Sequence, residues 1–121
     1  MTRHRDERGA ATAELALTLP LLVAVTASLA WLLAVGAAQV RVVDAARETA
    51  RAVARGDSPA DAVAHGRRVA PAGVTVEVTA VTSSEVRVVA SGEVAGPGGL
   101  LVALPGATLR AEAVAAVEDP G

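Results

Sequence analysis

The feature that most constrains this chain is an uncharged apolar stretch near its start. Residues 15–38 (LALTLPLLVAVTASLAWLLAVGAA) contain no charged side chain. As an α-helix these 24 residues span about 36 Å, which exceeds the roughly 30 Å thickness of the hydrocarbon core of a bilayer. A chain of 121 residues has too little other material to bury such a helix on every side. The stretch therefore predicts a transmembrane helix.

Four residues interrupt the apolar stretch, and all four are compatible with a transmembrane helix. The hydroxyl groups of Thr18, Thr26 and Ser28 can donate hydrogen bonds to carbonyl groups of their own helix, which makes them tolerable in lipid. Pro20 lacks a backbone N–H and strains the preceding turn, so it predicts a kink or a locally loosened helix.

The helical pattern continues beyond the apolar stretch and becomes amphipathic over residues 39–57. One face carries charges at steps of three and four residues, namely Asp44, Arg47, Glu48, Arg51 and Arg55. The opposite face is lined by Val42, Ala46, Thr49, Ala50 and Val53, and this face must pack on another element. Gly56 is a suitable C-terminal stop. We therefore predict one long helix over about residues 11–55.

The rest of the chain predicts a small α+β module. Ser58 is a suitable N-cap for a short helix that ends near Val69. Three segments then alternate as strands do, 74–81, 85–94 and 108–117, and the first two form a hairpin. Leu100–Leu104 is expected to be a core-filling loop, with a membrane or partner patch as the alternative. The fold class is α+β, with a three-stranded antiparallel sheet that the amphipathic helix covers.

Composition argues against several functional classes. The net charge is −2, and Trp31 is the only aromatic residue, so a basic stripe or stacking platform for nucleic acid is not expected. The chain has no cysteine, and His4 and His65 lack the helical spacing of a metal site. No pattern pairs a nucleophile with a base. We expect no enzyme activity, no cofactor, no metal and no nucleic-acid partner.

The segment before the apolar stretch carries the most informative motif. Residues 1–9 (MTRHRDERG) contain three arginines and two acidic residues ahead of the span, and positive charge there favours a cytoplasmic location. Gly9 and the small residue Ala10 offer little steric obstacle to a protease. Glu14 lies at the edge of the apolar stretch, where an ionised carboxylate is costly unless it has a partner.

These residues resemble a known family. Glycine, four residues and then glutamate at the head of an apolar helix resembles the prepilin signal of type IV pilin-like proteins. The string ERGAATAELALTLPLL resembles the TadE-like minor pilins of tight-adherence pilus systems. AAQVRVVDAARETARAVARG and PGGLLVALPGATLRAEAVAAVE are similar to the actinobacterial branch. The residue after the glutamate is commonly aromatic in this superfamily, whereas here it is Leu15.

The resemblance implies a minor pilin or pseudopilin. A prepilin peptidase would cut between Gly9 and Ala10, and Glu14 would then pair with the new amine of a neighbouring subunit and set helix registry. The implied divisions are a cytoplasmic leader at 1–9, a long helix at 10–57 and an extracytoplasmic module at 58–121. Within the helix, 15–38 would be transmembrane and 39–57 amphipathic. The implied partners are other pilins, the pilus assembly platform and the lipid bilayer.

The implied location is a single pass through the cytoplasmic membrane with the N-terminus in the cytoplasm, followed by a cell-surface pilus after assembly. Two other interpretations remain open at this stage. The apolar stretch can be a removable secretory signal, with Gly36-Ala37-Ala38 as the signal peptidase site. It can also be a plain signal anchor for an envelope binding or scaffold module without a pilus role.

Overall fold

The computed structural model describes residues 2–96 and 106–119, with side chains from residue 6 onward. Two helices are followed by three strands: α1 Thr2–Ala54, α2 Pro59–Val69, β1 Val74–Val81, β2 Glu85–Val94 and β3 Ala107–Ala116. The predicted α+β class, the short helix and the three strands are confirmed. The predicted loop at Leu100–Leu104 lies outside the described residues.

Helix α1 begins earlier than the sequence pattern predicted. It starts at Thr2, not near residue 11, and runs without interruption to Ala54. Extending an existing helix adds one hydrogen bond per residue without a new nucleation cost. The segment before Gly9 contains three arginines and Glu7, which favour helix, and Gly9 itself costs only about 1 kcal/mol relative to alanine. The start of the helix is thus set by extension from a strong helix downstream.

The end of α1 agrees with the prediction to within one residue. Gly56 has a positive φ of 107°, a conformation that glycine adopts without steric cost. The N–H of Gly56 donates to the carbonyl of Val53, and the N–H of Asp57 donates to that of Ala52, both at 3.0 Å. These bonds satisfy carbonyl groups at the end of the helix and turn the chain back toward α2.

Helix α2 runs back along α1 toward the apolar stretch. Ser58 caps its first turn as predicted, since its hydroxyl accepts from the N–H of Asp61 at 3.2 Å. At the other end, Nε of Arg41 donates to the carbonyl of Val69 at 3.2 Å, and its Nη2 donates to that of Ala70 at 3.4 Å. One arginine of α1 thereby satisfies two carbonyls where α2 ends.

The sheet has the order β1-β2-β3 with antiparallel neighbours. Val88 of the central strand is paired with Val78 of β1 and with Ala113 of β3. The register between β1 and β2 shifts at Thr79, between Val78 and Ala80. The predicted hairpin is therefore correct, and it contains a bulge that the alternation of residues did not reveal.

The core lies between the sheet and the second half of α1. Alternation along 85–94 predicts that Val86, Val88, Ala90 and Val94 face inward; the first three are fully buried and Val94 is partly buried against the core. The predicted inward-facing residues of α1 are buried as well, namely Val42, Ala46, Thr49, Ala50 and Val53. The core is built from Val, Ala and one buried Leu. Small side chains allow the helices and the sheet to approach closely.

Strand β3 follows the second half of α1 in the same direction. Nε2 of Gln39 donates to the carbonyl of Arg110 at 3.1 Å. Near the other end, the N–H of Glu118 donates to the carbonyl of Ala54 at 3.2 Å. The module is thus fastened to α1 from the last residues of the apolar stretch to the end of the helix.

The crossing of α1 and α2 depends on the absence of a side chain at Gly66. A Cβ atom there would overlap Oγ1 of Thr49 and lie 3.3 Å from the carbonyl oxygen of Ala45. Gly66→Ala should lower the free energy of unfolding of the module by about 1–3 kcal/mol, because this core has no room for a further methyl group. Amide hydrogen exchange at Val86 and Val88 measures this change.

The control is the same substitution in a Thr49→Ala background, which removes the overlapping hydroxyl. There, Gly66→Ala should cost less than it does in the parent chain. An equal cost in both backgrounds would show that Thr49 is not the obstacle.

Candidate functional site on the apolar helix

The apolar stretch of α1 is not covered by the rest of the protein. The module packs against α1 only from about Val35 and Ala38 onward. Apart from Trp31, which is half-buried, the large side chains before that point are exposed, and Leu17 is 77% accessible. The helix is long and apolar enough to cross a membrane, and none of its most apolar window is buried. So large an apolar surface requires lipid or other helices as its surroundings.

Hydroxyl groups on the apolar helix are satisfied within it, as predicted for two of three residues. Oγ1 of Thr18 donates to the carbonyl of Glu14 at 2.6 Å, and Oγ of Ser28 donates to that of Ala24 at 2.7 Å. Thr26 makes no such bond in the described part of the chain. It lines a shallow apolar groove with Leu22 and Ala30.

The predicted site residues Gly9, Ala10, Glu14 and Pro20 all lie on the exposed part of α1. Ala10 and Glu14 are four residues apart, so they lie on the same face one turn from each other. Pro20 stands inside the helix, which continues on both sides of it. A predicted kink at this position stays a prediction. The structure brings none of the four into contact with the module.

Glu14 is an exposed carboxylate at the start of the apolar stretch. Among the side chains of residues 6–96 and 106–119, none forms an ion pair with it within 4 Å. Its backbone carbonyl accepts the bond from Thr18, whereas its carboxylate points to the surroundings of the helix. A carboxylate at the edge of a bilayer is stabilised by a cationic partner, and the described part of this chain does not supply one.

The structure also shows residues that the sequence analysis did not single out. Gln39 and Arg41 are the polar side chains that hold the module where the apolar stretch ends. The signal in the sequence is that Gln39 and Arg41 are the first polar side chains after the uncharged stretch ends at residue 38. Trp31 is half-buried, and its indole Nε1 is covered without a hydrogen-bond partner in the described part of the chain.

The charged face of α1 forms an open cavity with α2. Its volume is about 260 Å³, and its lining includes Asp44, Arg47, Glu48 and His65. Nε2 of His65 lies 3.6 Å from Oε1 of Glu48. Both side chains are substantially exposed, and such a pair contributes little to stability. Across the described ranges, no three acidic, histidine or cysteine side chains are grouped as a metal site would need.

Comparison with protein families gives a match that lies in the long helix. Residues 9–51 match the family described as TadE-like protein. Over these residues the long helix is similar to TadE-like proteins. The match begins at Gly9 and ends at Arg51, before α2 and the sheet, and it does not distinguish the actinobacterial branch. Neither the curated proteins nor the solved structures gave a match.

The exposed apolar helix is that of a single-pass, membrane-anchored protein. Residues 9–51, which include this apolar stretch, are similar to the pilin-like TadE family. The TadE-like match covers the apolar stretch and most of the amphipathic half of α1. The family resemblance therefore lies in the long helix and does not extend to α2 or the sheet.

Charge in the middle of the apolar stretch should release the protein from the membrane. In the double variant Leu22→Arg/Leu29→Arg, each arginine raises the free energy of membrane insertion by about 2.5–3.5 kcal/mol, because it lies near the centre of the transmembrane helix. We expect the double variant to shift from the alkali-resistant membrane fraction to the soluble or aggregated fraction. Quantitative immunoblotting of both fractions measures the shift.

The matched control places two arginines on the exposed sheet, Val81→Arg/Val114→Arg. This variant should stay in the membrane fraction as the parent does. Retention of both variants in the membrane would show that residues 15–38 do not form the anchor.

Proposed function

We propose that the protein is a minor pilin or pseudopilin of a tight-adherence type IV pilus machine. The observation that carries the proposal is the TadE-like helix, with an exposed apolar stretch headed by Glu14. In this function the helix first resides in the cytoplasmic membrane and then packs laterally with other pilin helices. The protein has no catalytic step of its own and is the substrate of a peptidase.

The proposed orientation places the N-terminus in the cytoplasm and the α+β module outside. Arg3, Arg5 and Arg8 precede the apolar stretch, and positive charges next to a span are retained on the cytoplasmic side. The extracytoplasmic part of the chain then begins at Gln39, and the module lies on that side of the bilayer. It presents its surface to other minor pilins, the assembly platform or the cell exterior.

Processing by a prepilin peptidase is proposed between Gly9 and Ala10. Proteases bind an extended backbone, so the helix must unwind locally at the cut. Gly9 is the residue of this segment that weakens a helix most, and a Cβ placed there would meet no atom within 4 Å. The segment is thus both the easiest to unwind and free of obstruction. Cleavage makes Ala10 the new N-terminal residue.

Glu14 then acquires a partner through assembly. Cleavage creates an ammonium group at Ala10, and the ammonium of a neighbouring subunit pairs with the carboxylate of Glu14. In lipid, a carboxylate with an amine is far less costly than a carboxylate alone. Because both groups occupy fixed positions along their helices, the pair sets the axial stagger of adjacent subunits. A buried polar pair fixes registry in coiled coils in the same way.

The N-terminal residue of the mature membrane form tests the processing step. N-terminal sequencing or intact mass should give Ala10 in a host with a functional prepilin peptidase, and Met1 in a host without it. Met1 in both hosts would indicate a plain signal anchor of an envelope module. Gln39 would indicate a secreted product of signal peptidase. Either of these results would contradict the pilin proposal.

Glu14→Ala tests the assembly step. The substitution should leave membrane insertion unchanged and lower recovery in sheared pilus fractions by about tenfold or more, because the neighbouring amine loses its partner in lipid. Glu7→Ala is the matched control, since it removes a carboxylate of the leader, and its recovery should equal that of the parent. Normal recovery of Glu14→Ala would contradict the registry role.

A further inference from the structure

Strand β3 is an edge of the sheet, and its backbone hydrogen bonds show which residues face outward. The N–H of Val117 donates to the carbonyl of Ser84 across the sheet at 2.9 Å. The carbonyl of Arg110, by contrast, accepts from Gln39 of α1, and the N–H of Glu118 donates to Ala54 of α1. Backbone direction alternates along an antiparallel strand. The backbone N–H and C=O groups of odd-numbered β3 residues therefore bond to β2. Those of even-numbered residues point away from β2.

The middle of this edge is open between two occupied ends. Arg110 and Glu118 use outward groups to contact α1, whereas Glu112, Val114 and Ala116 lie between them. In the described part of the chain, the outward backbone groups of these three residues have no hydrogen-bond partner. All three residues are exposed, and Val114 is 53% accessible. A row of unpaired donors and acceptors of this kind accepts another strand.

A groove runs beside this open edge, between β3 and α1. Its volume is about 240 Å³, and it is lined by Arg47, Ala50 and Arg51 of α1 together with Ala113, Val114 and Ala115 of β3. The alanines leave space beside the strand. Within the described ranges, Arg47 and Arg51 form no ion pair within 4 Å. The α1 side of the groove is therefore positively charged.

The opposite edge of the sheet is less suited to a partner strand. β1 carries the bulge at Thr79, and bulges protect edges against further pairing. The groove beside β1 contains Arg67 and Glu77, which are of opposite charge. β3, in contrast, keeps one register with β2 over its whole length. The features that favour strand addition are thus combined at β3.

We propose that the β3 edge binds an extended, acidic strand of a partner protein. Apolar side chains of that strand cover Val114 on the outer face of the sheet, and acidic side chains face Arg47 and Arg51. A second copy anchored in the same membrane does not pair antiparallel through β3, because β3 and α1 run in the same direction and the two anchors would point oppositely. This inference does not depend on the pilin proposal.

The first test uses the full chain in nanodiscs and a blocked peptide of sequence TVEVEVT as the probe. Val114→Pro removes an outward N–H without touching the bonds to β2, and edge positions tolerate proline. The dissociation constant should rise about tenfold or more through the lost bond and the altered edge. Val114→Thr keeps the N–H and should bind as the parent does. Equal binding by Val114→Pro and the parent would overturn the proposal.

N-methylated probes test the same point without altering the protein. In an antiparallel pair the valine N–H groups of the probe face β3, and in a parallel pair the glutamate N–H groups do. Methylating one set should therefore abolish binding, and methylating the other should not. Undiminished binding of both methylated peptides would show that the edge is not used.

Charge recognition is tested with Arg47→Glu/Arg51→Glu and the peptide TVKVKVT. The parent should prefer the glutamate peptide, and the double variant should prefer the lysine peptide. Arg55→Glu/Arg68→Glu, which changes two exposed arginines outside the groove, should retain the preference of the parent. Amide exchange at Val86 and Val88 verifies that each variant is folded. A preference that does not change with Arg47 and Arg51 would overturn the proposed acidic partner.

Discussion

The structure depends on the burial of one face of α1 beneath the sheet. The same helix is apolar and mostly exposed over residues 15–38, then contributes fully buried residues such as Val42 and Ala46 to the core. The two halves satisfy the hydrophobic effect in different surroundings, the first in lipid and the second against β2 and β3. Because one helix serves both, the position of the module is set by where the helix leaves the bilayer.

Much of the fold follows from local sequence patterns because those patterns have direct physical causes. The alternation in 74–81 and 85–94 predicts strands, since one face must be buried, and Ser58-Pro59 predicts the start of α2 through capping. The bulge at Thr79 was not predictable, because it adds one residue without disturbing the apolar pattern. The early start of α1 is not visible in a local pattern, because extension of the helix past Gly9 depends on the whole helix downstream.

The candidate site was predictable to a different extent. Glu14 stands out in the sequence because a carboxylate at the edge of an uncharged stretch is costly, and the structure shows it exposed without an ion pair among the described side chains. The roles of Gln39 and Arg41 depend on contacts with Arg110, Val69 and Ala70, which are distant in sequence. No local pattern encodes such contacts. The open edge of β3 likewise emerges only from strand order.

The junction at Gln39 has a mechanical consequence. From Ala37 to Ala54 the helix contains neither glycine nor proline, and the sheet is attached to it at both Gln39 and Ala54. The two attachment points are about 22 Å apart along the helix axis. No hinge lies between these two points. A tilt or rotation of the apolar segment within the bilayer therefore turns the module through the same angle, as one rigid body.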